Sequence, residues 1–345
     1  MGSMSLGSFI RYIVRRLLML LFVLIGISII TFIVARVVPA DPAASYLGPR
    51  PKPEQVEMIR VKLGLDKPLI VQYGIYMRDL LHGDMGKSIR THQPVARSIL
   101  QYLPASLELM FTAIVLALVV GITVGTFTAN RENSLADHAG RVFAISGVSL
   151  PGFWLGLLFQ ILFFRLLGVL PLGGRIDTYI DLTSPIRTIT GFNVIDSLLT
   201  ANWAACRDAI LHLILPACTL AAYSTGLVTR MVRATMLDVN CEEYVQVAKA
   251  IGYSRGAVTR RFSLRNSLSP ALTTAGLAFA SMLTGTFFVE SIFYWPGLGT
   301  YTVQAIQLAD YPVIMGVTLI GAVFYVLINL VVDIIVAVLD PRIQL

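Results

Sequence analysis

Charge is what this chain has least of. Only 14% of its 345 residues are charged while 56% are hydrophobic, and the mean hydropathy is +0.74. A soluble domain carries roughly 25% charged residues, so a soluble enzyme or binding module is excluded. Cysteine is almost as scarce: Cys206, Cys218 and Cys241 show no CxxC spacing and imply neither a disulfide framework nor a metal cluster. The histidines His82, His92, His138 and His212 are scattered and read as solvated or packed imidazoles. No HExxH, GxSxG or paired-carboxylate constellation lies along an apolar run, so no catalytic site, cofactor or metal is expected of this chain. Gly86-Lys87-Ser88 looks like the tail of a phosphate-binding loop. Leu81 stands where that pattern needs its first glycine, so nucleotide binding is not expected there.

What is abundant is long apolar sequence. A helix needs about 20 residues to cross a bilayer, and such stretches occur near 17–38, 105–129, 142–166, 213–236, 271–292 and 313–338. The expectation is an all-α integral membrane protein with six transmembrane helices. The first run follows Arg11, Arg15 and Arg16 but is too long for a signal peptide, and it reads as an uncleaved anchor. Lys and Arg in the short loops set the orientation: Arg131, Arg141, Arg230, Arg233, Lys249 and the arginines from 255 to 265 share the side of the N-terminal cluster, whereas 293–312 has none. Both termini are therefore expected in the cytoplasm. The net charge of +7 reflects this topology and gives no argument for nucleic acid.

The expected organisation is a cytoplasmic N-terminus and first span over 1–38, an extracytoplasmic segment over 39–103, a five-helix core over 104–338, and a cytoplasmic tail over 339–345. Residues 39–103 are too polar to span, and helices are expected over Pro53–Leu63 and Leu69–Leu81, broken at Leu65-Asp66-Lys67-Pro68. A second external segment, 167–211, includes the amphipathic stretch Asn193 to Ile210. These segments either dock a soluble binding protein or cap the helix bundle.

Polar residues inside spans are costly and invite a functional reading. Glu290 lies near the outer end of the fifth span, and Asn329 and Asp333 share one face of the sixth. Glu290 and Asn329 are candidates for the solute path or its gate; a structural hydrogen bond is the alternative for each.

The most informative stretch lies between the fourth and fifth spans, in the loop 238–268. Tyr244, Val247, Ala248 and Ile251 recur at i, i+3, i+4 and i+7 and form an apolar stripe, while Glu242, Glu243, Gln246 and Lys249 stay wet. Asn240 and Glu243 have capping-box spacing, Gly252 supplies a left-handed helix end, and Ser254 caps a second basic helix carrying Arg255, Arg260 and Arg261. Ser269 and Pro270 are expected to restart the chain as a membrane helix. A one-sided stripe, two caps and a glycine break are more than a topological loop demands. An amphipathic helix lying on lipid is the competing reading.

The loop resembles the cytoplasmic EAA loop of binding-protein-dependent ABC importer permeases. Gln246, Val247 and Ala248 occupy the Glu-Ala-Ala places and Gly252 the glycine; Gln246 and Arg265 depart from the general pattern. The dipeptide/oligopeptide/nickel branch of that family matches through Tyr244, Val245, Ala248, Ala250, Gly252, Leu264, Arg265, Asn266, Leu268 and Pro270. Further landmarks of the branch are Asp41-Pro42, Gly64-Leu65-Asp66-Lys67-Pro68, Gly83-Asp84-Met85-Gly86, Trp295-Pro296-Gly297-Leu298-Gly299, Asp310-Tyr311-Pro312 and Leu339-Asp340-Pro341. The resemblance implies the type I importer permease fold, a homologous second permease, two ATPase subunits that carry ATP and magnesium, and an extracytoplasmic solute-binding protein. It also implies a bacterial cytoplasmic (inner) membrane and a coupling role for Glu243, Tyr244, Val247, Ala248, Ala250, Ile251, Gly252, Arg261 and Arg265. The alternative is an ion-coupled secondary transporter without ATPase partners. That class carries internal repeats with broken helices near the midplane, and no convincing repeat is visible.

The orientation is testable by labelling single cysteines from each side, in a background lacking Cys206, Cys218 and Cys241. Ser45→Cys should react with impermeant reagent from outside only; reaction solely from the cytoplasm would reverse the topology.

Overall fold

The structure is a computed structural model that describes residues 6–37, 43, 52–62 and 64–339. Asp41-Pro42 and the tail beyond Leu339 lie outside the described residues. Five helices are long and apolar enough to cross a membrane: Val14–Arg36 within α1 (Leu6–Val37), Val95–Ala129, Trp203–Asn240, Arg255–Ile292 and Tyr311–Val332. The third expected span, 142–166, is not one straight helix. It is the C-terminal part of a pair, Leu135–Ser149 and Gly152–Leu166, that bends by 111°. Pro151 is the reason: it has no N–H to continue the ladder, it biases Leu150 to an extended backbone (ψ 131°), and it opens the second helix. With the bent pair taken as one span, the count is six.

The helices of the 39–103 segment appear where the sequence puts them, α2 at Pro53–Lys62 and α3 at Leu69–Leu81. Between them Gly64 adopts φ 63° and the 65–68 stretch turns. The tyrosines of α3 pack on the first span: the Tyr73 ring meets Phe32 edge-on at 5.4 Å, and its hydroxyl lies 2.8 Å from Ser28 Oγ.

The described chain packs as two units, one made of Pro296–Val326 with the described residues from Leu6 to Pro104, the other of Ala105–Trp295 with the last helix from Leu327 onward. In the first, Val95, Ile99, Leu298, Val313 and Val317 form the core. In the Gly86-Lys87-Ser88 run, the Ser88 hydroxyl donates to the buried Asp310 carboxylate at 2.6 Å, and no helix follows Ser88 until Val95. A phosphate-binding loop needs that hydroxyl and a helix N-terminus.

The second unit is built on α4 (Val95–Ala129, from Ala105 onward), α5 (Leu135–Ser149), α6 (Gly152–Phe159) with its π-helical extension Gln160–Leu166, α9 (Trp203–Asn240) and α12 (Arg265–Ile292). α9 is the central helix: its 38 residues span about 57 Å at 1.5 Å each, well beyond the ~30 Å hydrocarbon layer. It buries Leu213, Leu215 and Leu220 against Leu109, Met110, Met282 and Val289 at one end, and Val228, Val232 and Met236 against Ala271 and Ala275 at the other. Small residues set the spacing to α5. A Cβ on Gly147 would fall 2.6 Å from the Ala222 carbonyl oxygen, and one on Gly226 would collide with that of Ala144. Close backbone approach of this kind supplies helix association where lipid removes the hydrophobic drive.

Two buried ion pairs join elements far apart in sequence. Asp137 of α5 is wholly enclosed and receives both Nε (2.6 Å) and Nη2 (2.7 Å) of Arg233. Glu108 of α4 pairs with Arg175, which also donates to the Gly191 carbonyl (2.8 Å) and stacks over Trp295, while the second oxygen of Glu108 accepts from Val194 N at 2.9 Å. These bonds staple the 167–200 segment to the helix bundle. Within that segment Asp196 receives the Thr190 hydroxyl and the backbone N–H groups of Ile189, Thr190 and Gly191. Burial alone would push its pKa up, but these donors hold it below the ordinary carboxylate value.

Removing one partner of a buried pair strands the other's charge, at about 3–5 kcal/mol. Arg175→Met should therefore lower the thermal unfolding midpoint of the detergent-solubilised protein sharply, and adding Glu108→Leu should restore most of it. Equal losses for the single and double variants would show that the pair is not coupled.

Candidate functional site: the segment between the fourth and fifth spans

α9 ends at Asn240, the chain turns through Cys241 and Glu242, and the short helix α10 runs over Glu243–Ala250, about 12 Å long. Its N-terminus lacks the capping box its spacing suggests: Glu242 is the N-cap and makes no side-chain cap bond. Asn240 is still helical, and its groups are used elsewhere. Gln246 Nε2 donates to the Asn240 carbonyl at 2.7 Å, Lys249 Nζ reaches the same oxygen at 3.4 Å, and Ser263 Oγ donates to Asn240 Oδ1 at 2.5 Å.

The C-terminus follows the expected chemistry. Gly252 has φ 89°, its N–H bonds the Lys249 carbonyl, and Tyr253 N–H bonds the Ala248 carbonyl, which together satisfy two of the last free carbonyls of α10. No atom lies within 4 Å of a Cβ built on Gly252, so its requirement for glycine is conformational and not steric crowding. Ser254 then accepts from Ala257 N and starts α11 (Arg255–Ala257).

Beyond that point the sequence reading is corrected. No separate basic helix ends before a new membrane helix at Ser269-Pro270. α11 passes into a π-helical turn, Val258–Leu264, and straight into α12 (Arg265–Ile292), which carries Pro270 in its interior. Arg261 and Arg265 are both exposed on this continuous rod.

The apolar stripe also divides differently. Val245 (0% exposed) and Ala248 (3%) face inward, where α10 packs on the π-helical turn. Val247 (57%) and Ile251 (69%) stand in the open with Tyr244, whose hydroxyl accepts from Asn266 Nδ2 at 2.8 Å. Glu243 and Ala250 are exposed as well. So α10 has two apolar faces. One is satisfied by this chain; the other is free, and helical rotation places the exposed Glu243 at its border.

The two remaining candidates are not part of this segment. Glu290 lies 25 positions beyond Arg265 on the same helix, about 37 Å away. It is fully enclosed and accepts from Ser106 Oγ at 2.5 Å. Asn329 is half-buried on the last helix, Tyr311–Leu339, and the side chain of Asp333 lies outside the described residues. Sequence reasoning missed Glu108, Asp137, Arg175 and Arg233. For Glu108 the signal was present, a carboxylate four residues into an apolar run. Among the described residues no group of three or more His, Cys, Asp or Glu side chains is placed to hold a metal.

Apolar rods long enough to cross a membrane, two of which, Trp203–Asn240 and Arg255–Ile292, meet at a short helix with a free apolar face, define a multi-span membrane subunit. The chain belongs to the family of binding-protein-dependent transport system inner membrane components: residues 121–345 match that family, and residues 9–110 match its N-terminal membrane component. It is 43% identical over 324 residues to a probable D,D-dipeptide transport system permease protein of Escherichia coli K12, covering 94% of each chain. It is 40% identical over 335 residues to the dipeptide transport system permease protein of Alkalihalophilus pseudofirmus, covering 97% of this chain and 99% of that one. With an oligopeptide transport system permease protein of Bacillus subtilis it shares 37% over 335 residues, 96% and 99% of the two chains. Among solved structures, an inward-facing MetNI methionine ABC transporter chain aligns with TM-score 0.49 and 16% identity over 68% of this chain and 93% of that one. Family membership makes this chain a permease subunit of an ABC importer and sets aside the ion-coupled secondary transporter.

The left-handed turn gives a direct test. Gly252→Val places a β-branched residue at a φ that such residues rarely adopt, at about 1–3 kcal/mol of strain, whereas Gly252→Asn tolerates it. Tryptic cleavage after Lys249 or Arg255 in the purified permease should accelerate in Gly252→Val and stay near the native rate in Gly252→Asn. Equal rates in all three proteins would mean that the turn does not hold this segment.

Proposed function

We propose that this permease carries short peptides delivered by an extracytoplasmic binding protein, and that α10 is the contact through which ATPase subunits drive it. The observation that carries the reading is the free apolar face of Val247, Ile251 and Tyr244 on a helix whose other face is already packed. The face is small, and helical rotation places the exposed Glu243 at its border; a groove on a soluble protein matches a small apolar knob with a polar edge. The peptide assignment is supported by relatives whose names specify dipeptide and oligopeptide transport over nearly their whole lengths.

In the proposed assembly this chain pairs with a homologous second permease and two ATPase subunits, in the type I importer arrangement. ATP and magnesium sit on the ATPases, and this chain binds no cofactor. Both termini and the 238–268 loop face the cytoplasm, while 39–103 and 167–211 lie outside, where the binding protein docks. Closure of the ATPases pushes α10, and because the π-helical turn and α12 continue without a break, the push reaches the far end of the fifth span as a rigid-body movement. Glu290 and Asn329 are assigned to the solute gate. An enclosed carboxyl held by Ser106 suits a gate that is shut in this conformation.

The split of the stripe decides which variants test the coupling. Val247→Asp and Ile251→Asp alter only the free face, so they should abolish peptide-stimulated ATP hydrolysis in proteoliposomes while the permease inserts normally and still binds its extracytoplasmic partner. Burial of this patch is worth several kcal/mol at about 25 cal/mol per Å², so co-purification of the ATPases should weaken as well. Retention of full ATPase association and uptake by both variants would remove the coupling role.

A further inference from the structure

We infer that Asn240, together with Ser263, is the positioning residue that makes the coupling helix move with both of its flanking spans. This rests on the reading of α10 as the ATPase contact. Three observations carry it. Asn240 is the last residue of α9, so it is rigidly part of that rod. Its backbone carbonyl, one of the helix-end carbonyls without a partner in the helix, takes the Gln246 amide at 2.7 Å and the Lys249 ammonium at 3.4 Å, both from α10. Its side-chain oxygen takes the Ser263 hydroxyl at 2.5 Å, from the π-helical turn that opens the next span.

One residue thus joins the end of one span, the short helix and the start of the next. The Ser263 end is itself anchored: the residue is fully buried, and its carbonyl accepts from Ser267 Oγ at 2.8 Å, inside the same rod. A second link runs from this turn to the end of α4, where Thr259 Oγ1 and Asn130 Oδ1 lie 3.1 Å apart.

Packing alone does not supply this. Val245 and Ala248 seat α10 on the turn through apolar contact, which is non-directional and permits sliding. A hydrogen bond of 2.5 Å between two half-fixed polar groups sets distance and direction together. The π-helical geometry of Val258–Leu264 provides the place for it, since i→i+5 turns are uncommon and recur where a helix must offer a group out of α register. Asn240 therefore touches neither solute nor nucleotide. Its role is to convert a push on α10 into a displacement of two spans at once.

The test uses the complete importer in proteoliposomes with its ATPases and binding protein, reading peptide transported per ATP hydrolysed. Ser263→Ala removes the donor with the least disturbance, Asn240→Ala removes the acceptor, and Asn240→Asp keeps an acceptor for Ser263. A hydrogen bond of ordinary net strength, about 0.5–1.5 kcal/mol, corresponds to a fall in the transport ratio of roughly two- to tenfold. Ser263→Ala and Asn240→Ala should show that fall with ATPase association and basal hydrolysis unchanged, the double variant should be no worse than either, and Asn240→Asp should stay near the native ratio. A native ratio in both single alanine variants overturns the inference, as does a loss of ATPase association in Ser263→Ala, which would make the bond a general scaffold. If Val247→Asp and Ile251→Asp leave hydrolysis intact in the same assay, the coupling reading itself fails. If they abolish it while Asn240→Ala does not change the ratio, only the positioning role fails.

Discussion

A backbone amide in hydrocarbon has no water to bond, and each unsatisfied group costs several kcal/mol. That constraint shapes this protein more than any side chain does. It forces the apolar 56% of the chain into helices whose amides are satisfied within the element, and among the described residues the structure contains helices, turns and one isolated bridge. It also explains where the irregular backbone is found. The 111° bend at Pro151 lies where α6 packs on α9 and α12, and the π-helical turn of Val258–Leu264 packs on α9 and α10.

With helix–helix contact in lipid deprived of the hydrophobic drive, the bundle relies on small residues and buried polar pairs. Gly147 and Gly226 let α5 and α9 approach at backbone distance. Asp137 with Arg233, and Glu108 with Arg175, then fix which elements meet. Such pairs are weak evidence of net stability, since hydrophobic replacements often do as well. Their value here is in specifying one arrangement, and at Glu108 one acceptor pair orders a segment that has little apolar surface of its own.

The same logic produces the coupling segment. A helix of eight residues is too short to be stable alone, so α10 exists because Val245 and Ala248 are buried, its C-terminal end is closed by turn hydrogen bonds, and the Gln246 side chain ties it to the end of α9. What is left over, the outward Val247 and Ile251, is available to another protein. Rigidity and a free face arise together from one amphipathic sequence with apolar residues on two sides.

The sequence by itself determined the properties that depend on near neighbours. Span number followed from apolar length, the break at 65–68 and α3 from turn residues and periodicity, and the left-handed turn at Gly252 from the conformational freedom only glycine has at no cost. Motif spacing along the loop carried the family. Tertiary structure decided what one-dimensional spacing cannot encode. A 3.6-residue period says that Val247 and Ala248 lie near one another, but which of them turns inward depends on the turn 258–264 packed alongside. Asn240 has the residue type and spacing of a cap, yet it is still helical in α9 and Glu242 takes the N-cap place, so its oxygens serve Ser263, Gln246 and Lys249. Arg175 and Glu108 are separated by 67 positions, and nothing local links them. Local chemistry selects conformations; the pairing of buried polar groups is chosen only when the chain has closed on itself.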